Sequence, residues 1–153
     1  MPVTIRSAIH ADVPAILAIE RQAASAAHWT RDQYEQRLAN GAMLVAEEEK
    51  NITGYVCARV VAGEWEIENV VVAESARRQG IGDQLLKKLI VRAREQAATG
   101  VCLEVRESNH PARRLYEKHG FNETGRRRMY YRSPTEDAVL YTTRLTARNE
   151  HLK

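Results

Sequence analysis

The chain has 153 residues, 44% hydrophobic and 28% charged, with a formal net charge of +3, which suits one domain (residues 1–153) whose core needs no disulfide or metal staple. No apolar run approaches the ~20 residues of a membrane span, and Asp12, Pro14 and Glu20 interrupt any secretory leader, so no membrane association and a cytoplasmic location are expected. Residues 1–70 carry 6 Lys+Arg against 10 Asp+Glu, whereas 71–153 carry 17 against 10; that surplus fits either an anionic ligand in the second part or solvated basic faces with nonspecific affinity for nucleic acid.

Val3-Thr4-Ile5 alternates as a short first strand. Ala11 to Ala23 carries Val13, Ile16, Leu17 and Ile19 at near-helical spacing, with Pro14 in the first turn. A linker over residues 24–29 leads to Thr30-Arg31-Asp32-Gln33, a capping box that starts a second helix running to Asn40-Gly41. Residues 43–47 and 52–61 read as a hairpin around an acidic turn, and Glu66 to Val72 as the central strand. Ile81, Leu85, Leu86, Leu89, Ile90 and Ala93 form one stripe of a long helix predicted to end near Gly100. Residues 101–105 then read as a strand with Glu104 among apolar neighbours, and Asn109 caps a helix with Pro111 in its first turn, ending at His119-Gly120. Residues 121–132 and 137–145 close the chain as a strand pair. The order β-α-α-β-β-β-α-β-α-β-β predicts an α/β (α+β) mixed sheet with helices on both faces. The hairpin breaks the alternation of a doubly wound fold. Cys57 and Cys102, each in an apolar strand, read as small buried thiols.

Between the central strand and the long helix lies Arg77-Arg78-Gln79-Gly80-Ile81-Gly82. Amides of a tight loop and of a helix's first turn lack intrahelical acceptors, so this stretch is an anion site, and glycine lets an anion reach the backbone. It lacks the Lys-Ser/Thr pair of a P-loop and does not fit G-x-G-x-x-G. It does fit Gln/Arg-x-x-Gly-x-Gly/Ala, and here the chain resembles the GNAT superfamily of N-acetyltransferases, whose element order is also this one. The resemblance implies an acyl-CoA N-acyltransferase fold and acetyl-CoA as cosubstrate. Its pyrophosphate would lie on Arg77, Arg78, Gln79, Gly80, Ile81 and Gly82, and its pantetheine along Val70, Val71 and Val72.

LEVRESNHPARRLYEKHGF, residues 103–121, together with Arg127-Arg128-Met129-Tyr130-Tyr131 and Glu136-Asp137-Ala138, resembles the RimI branch, the ribosomal-protein-alanine N-acetyltransferases. That likeness implies Glu104 as general base, directly or through a water, and Tyr116 as the acid that protonates the thiolate. It implies contact of Asn109 with coenzyme A, and an acceptor groove shaped by Trp29, Tyr130 and Tyr131. Glu68 on the central strand is the rival base or an acceptor contact, because other branches use an acid there. For Glu104 the residues alone also allow a buried acid held by an arginine such as Arg106 or Arg59. The expected acceptor is the N-terminal alanine of a small-subunit ribosomal protein, taken by a monomer without a metal; the histidines have no ligand spacing with cysteine. The chain departs from the branch at Ala27-His28, at Met129, in the short segment after Tyr131 and in the proline missing from Ala73-Glu74-Ser75-Ala76, largely on the acceptor side. Open alternatives are a small-molecule amine or lysine N-acetyltransferase and, from another class, a basic module binding RNA or ribosomes through Arg126-Arg127-Arg128.

Overall fold

A computed structural model describes residues 2–23 and 29–145; the linker read between 24 and 28 lies outside them. The elements follow in the expected order: β1 (Thr4–Ser7), α1 (Val13–Gln22), α2 (Arg31–Asn40), β2 (Gly41–Glu48), β3 (Asn51–Val61), β4 (Glu64–Val72), α3 (Ile81–Glu95), β5 (Gly100–Arg106), α4 (His110–Lys118), β6 (Asn122–Tyr131) and β7 (Glu136–Arg144). A 3-10 turn precedes α1 at His10–Asp12 and another follows β4 at Glu74–Ala76. Among the described residues no helix is long and apolar enough to cross a membrane.

Local chemistry sets the ends of these elements. Thr30 and Gln33 cap α2 reciprocally: Thr30 N donates to Gln33 Oε1 at 2.8 Å and Gln33 N to Thr30 Oγ1 at 3.2 Å. The six apolar residues of the α3 stripe are all buried. That helix stops five residues short of Gly100, because Ala97 adopts φ +62° and Ala97 N and Ala98 N donate back to Arg94 O and Ala93 O at 3.0 and 2.9 Å. This is a Schellman closure with alanine where glycine is usual.

The sheet is mixed, in the order β1-β2-β3-β4-β5-β7-β6. Only β4 and β5 run parallel. α1 and α2 cover one face through Val13, Ile16, Tyr34, Tyr55 and Val71. α3 and α4 cover the other through Val56, Ile67, Leu86, Leu103 and Tyr116. Two irregularities shape the middle. On β4 the partners jump from Cys57↔Asn69 to Ala58↔Ile67, leaving Glu68 as an extra residue. This β-bulge reverses the alternation, so Ile67 packs toward α3 whereas Val71 packs toward α1. The second irregularity is that β4 and β5 pair only from Glu64↔Gly100 to Ile67↔Leu103. Beyond that point they part, and one edge of Glu68–Val72 has no strand beside it.

α3 approaches β3 at Gly54. A Cβ there would lie 3.0 Å from Val71 O, 3.2 Å from Ile81 Cγ2 and 3.3 Å from Leu85 Cδ1. Because the nearest atom is a backbone carbonyl that cannot rotate away, Gly54→Ala is expected to destabilise the fold by about 1–3 kcal/mol. Urea unfolding should show a lower midpoint at an unchanged slope.

Candidate active site

The parting of β4 from β5 is flanked at the end of β4 by the glycine loop. From Arg78 to Asp83 no backbone amide has an acceptor among the described residues. Gly80, at φ +76°, has no atom within 4 Å of where a Cβ would stand. Arg78 also takes a left-handed conformation, φ +67°. Successive amides turned by left-handed residues at the start of α3 make a concave donor set with the positive end of the helix dipole behind it. An anionic diphosphate fits that chemistry. Arg77 contributes differently: its Nε donates to Val72 O at 3.2 Å, tying the loop to the strand end. The side chains of Val70, Val71 and Val72 are spent in the two cores, so their backbone is what a ligand would meet.

Glu104 lies on β5 between Leu103 and Val105, which face α3 and α4. Its own side chain therefore points to the opposite face, into a groove of about 470 Å³ lined also by Glu64, Glu66, Cys102, Arg127 and Thr142. Arg127 Nε donates to Glu104 Oε2 at 2.5 Å, with side-chain exposures of 57% for the arginine and 18% for the acid. The acid is thus held by an arginine, and it is neither Arg106 nor Arg59. Arg106 bonds Glu136 Oε2 at 3.0 Å and covers the Tyr131 ring at 4.4 Å, while Arg59 bonds Glu66 Oε1 at 2.8 Å.

Tyr116 sits on α4, on the other side of the sheet, against Phe121 and Tyr141 with ring centroids 5.8 and 6.3 Å away. It is 7% exposed, and its hydroxyl has no hydrogen-bond partner among the described residues. Burial, with a smaller effect from Tyr131, pushes this phenol up to about 12. Tyr131 lies close enough to feel Glu104 as well; burial first and that carboxylate second raise its phenol. It therefore stands electrostatically between Glu104 and Tyr116. Asn109 caps α4, its Oδ1 accepting from Ala112 N at 3.3 Å.

Glu68, the bulge residue, is gripped from α2 by Arg37, whose Nε and second guanidinium nitrogen reach its two oxygens at 2.5 and 3.0 Å. The same guanidinium lies over Trp29, 5.1 Å from the ring centre. Trp29 is half-buried and packs tilted against Tyr34, ring centroids 5.2 Å apart. Tyr130 is half exposed, next to Tyr131 and under Arg127. Sequence reasoning missed a buried polar network behind these residues. Glu20, 3% exposed, accepts from Trp29 N and, at 2.7 Å, from Tyr34 Oη. Tyr34 and Tyr55 share a 2.8 Å hydroxyl contact, and Asn69 Nδ2 donates to Tyr34 Oη at 3.3 Å. The network ties the segment bearing Trp29 to the bulged strand. Its signal was an acid at Glu20 on the same stripe as Val13 and Ile16, where a surface helix carries apolar residues.

Burial is the main cause that raises both thiols, Cys57 in the core and Cys102 in the groove, which makes them poor nucleophiles. The described residues contain no group of three or more His, Cys, Asp or Glu that could hold a metal ion.

Residues 12–121 match the family model described as Acetyltransferase (GNAT) family. The chain is 34% identical over 142 residues to the [Ribosomal protein bS18]-alanine N-acetyltransferase of Escherichia coli K12, covering 90% of this chain and 94% of that protein. The crystal structure of the ribosomal-protein-S18-alanine N-acetyltransferase from Escherichia coli superposes with a TM-score of 0.87 at 31% identity, over 94% of each chain. An acetyltransferase from Salmonella typhimurium, solved with its cofactor acetyl-CoA, superposes with a TM-score of 0.81 at 26% identity over 95% of each chain.

Proposed function

Since the chain belongs to the GNAT family and is a RimI-type N-acetyltransferase, we propose that it moves the acetyl group of acetyl-CoA onto the N-terminal alanine amine of a bS18-type ribosomal protein, as a cytoplasmic monomer of one domain. The observation that carries the choice of acceptor is the likeness to the Escherichia coli enzyme along 90% of the chain. The chemistry is supported by the geometry of the opening between β4 and β5.

In this reading the diphosphate of acetyl-CoA lies on the amides from Arg78 to Asp83, and the exposed backbone edge of Val70–Val72 receives the pantetheine amides. Asn109 keeps the start of α4 in place beside them. The acceptor enters across the groove between Trp29 and the Tyr130-Tyr131 pair. Glu104 takes the proton of the incoming ammonium, directly or through a water, freeing the lone pair to attack the thioester carbonyl. As the carbon–sulfur bond breaks, Tyr116 gives its proton to the departing thiolate. Raised to about 12, the phenol is fully protonated at neutral pH and holds the proton that the thiolate takes. Glu68, held at both oxygens by Arg37, is assigned to shaping the groove rather than to proton transfer.

Thiol release with acetyl-CoA tests the acceptor. A hexapeptide of bS18 sequence beginning with alanine should be turned over with a kcat/KM about tenfold or more above that for an N-blocked peptide containing lysine or for a free polyamine. Equal or better turnover of either competitor would overturn the assignment.

A further inference from the structure

Resting on the assignment of Glu104 as the group that meets the acceptor ammonium, we propose that Arg127 is an internal competitor for that position: its guanidinium stands where the acceptor's charged amine must bind, and the acceptor enters by displacing it. Arg127 Nε and Glu104 Oε2 are 2.5 Å apart, so the arginine fills the contact an ammonium would make. The hold is of a kind that can be given up. It is a single-pronged bond through Nε, in contrast to the two-pronged grip of Arg37 on Glu68. The arginine is 57% exposed, and ion pairs at such exposure are worth little and are screened by salt.

The strand that carries Arg127 is suited to release it. β6 is the last strand of the sheet, with β7 on one side only. Its pairing with β7 breaks between Arg127 and Tyr131, where Met129 turns to φ +50°. While bonded to Glu104 the guanidinium carbon already lies 5.4 Å from the half-exposed ring of Tyr130 on the same strand, a cation–π contact that can hold the arginine when it leaves the carboxylate. With Arg127 on Oε2, a second cation brought to Glu104 would meet its charge at close range and be repelled by it. Binding of the acceptor is therefore an exchange of one cation for another, and the ion pair subtracts from its apparent affinity.

Arg127→Gln and Arg127→Met, compared with Arg144→Gln as a control at the Glu64 pair outside the amine position, give the test. Affinity for the alanine-initiated hexapeptide is measured by calorimetry in the presence of coenzyme A, a dead-end complex in which no chemistry occurs. Both Arg127 variants should bind the peptide about two- to fivefold more tightly than the parent, while Arg144→Gln and the affinity for coenzyme A itself do not change. Ethylguanidinium chloride should then compete with the peptide in Arg127→Met more effectively than in the parent protein, because the site has lost its own guanidinium. Unchanged or weaker peptide binding in the Arg127 variants would overturn the proposal and assign the arginine to holding Glu104. Turnover by Glu104→Gln, run alongside, keeps the two readings apart: full activity there refutes Glu104 as base, whatever the binding data give.

Discussion

Replacing Tyr116 by phenylalanine should lower kcat by about 100- to 10,000-fold, the usual range for loss of a positioned acid, while leaving acetyl-CoA affinity and thermal stability close to those of the parent. The separation is possible because of where the hydroxyl sits. The ring is fixed by Phe121 and Tyr141, contacts that phenylalanine keeps. The hydroxyl has no hydrogen-bond partner among the described residues, so its removal strands no neighbour. Stopped-flow thiol release measures the first quantity and calorimetry with acetyl-CoA the second. A variant of near-normal kcat would reassign proton donation, and Tyr131, which feels Glu104 and itself acts on Tyr116, would be the next phenol to replace.

Glu104→Gln is the second large effect, and it should depend on pH. An α-amino group titrates near ~8, so at about pH 7 most of the acceptor is ammonium and turnover requires the base. There the variant should be about 100-fold slower. As the pH rises past ~8 the acceptor arrives already neutral, and the deficit should shrink. The sign follows from the acceptor: loss of the base costs most where the amine is protonated. Glutamine retains the shape of the side chain, and the ion pair lost with Arg127 is exposed, so stability should change by less than about 1 kcal/mol. A deficit constant from pH 6 to 9.5 would place Glu104 in binding instead.

Much of this architecture is legible in residue pattern. The stripe from Ile81 to Ala93, the box at Thr30 and Gln33 and the cap at Asn109 are local devices whose cause and effect lie within one turn of chain. So is the loop from Arg78 to Asp83, because glycine spacing and a helix start suffice to leave amides free. What escaped depends on distant partners. Residue pattern puts the end of α3 near Gly100, the nearest glycine, whereas Ala97 takes the left-handed position. The bulge at Glu68 exists only relative to β3. The partner of Glu104 comes from 23 residues along the chain, across β7, and nothing in local spacing favours Arg127 over Arg59 or Arg106. Glu20 is the exception, a buried acid marked locally by its place on the apolar stripe of α1.

The short parallel ladder has a consequence for how the protein survives between turnovers. A sheet whose middle is unzipped from Glu68 to Val72 carries, at its centre, a backbone edge that no neighbouring strand pairs, of the kind other sheets keep at their margins. A ligand seated in that gap closes the ladder, and because the unfolded chain offers no such seat, its binding energy is added to folding: about 2.7 kcal/mol when it is present at a hundred times its dissociation constant. With acetyl-CoA in the seat proposed above, the folded fraction of the enzyme would rise with the supply of acetyl donor, so that starvation would remove catalyst as well as cosubstrate.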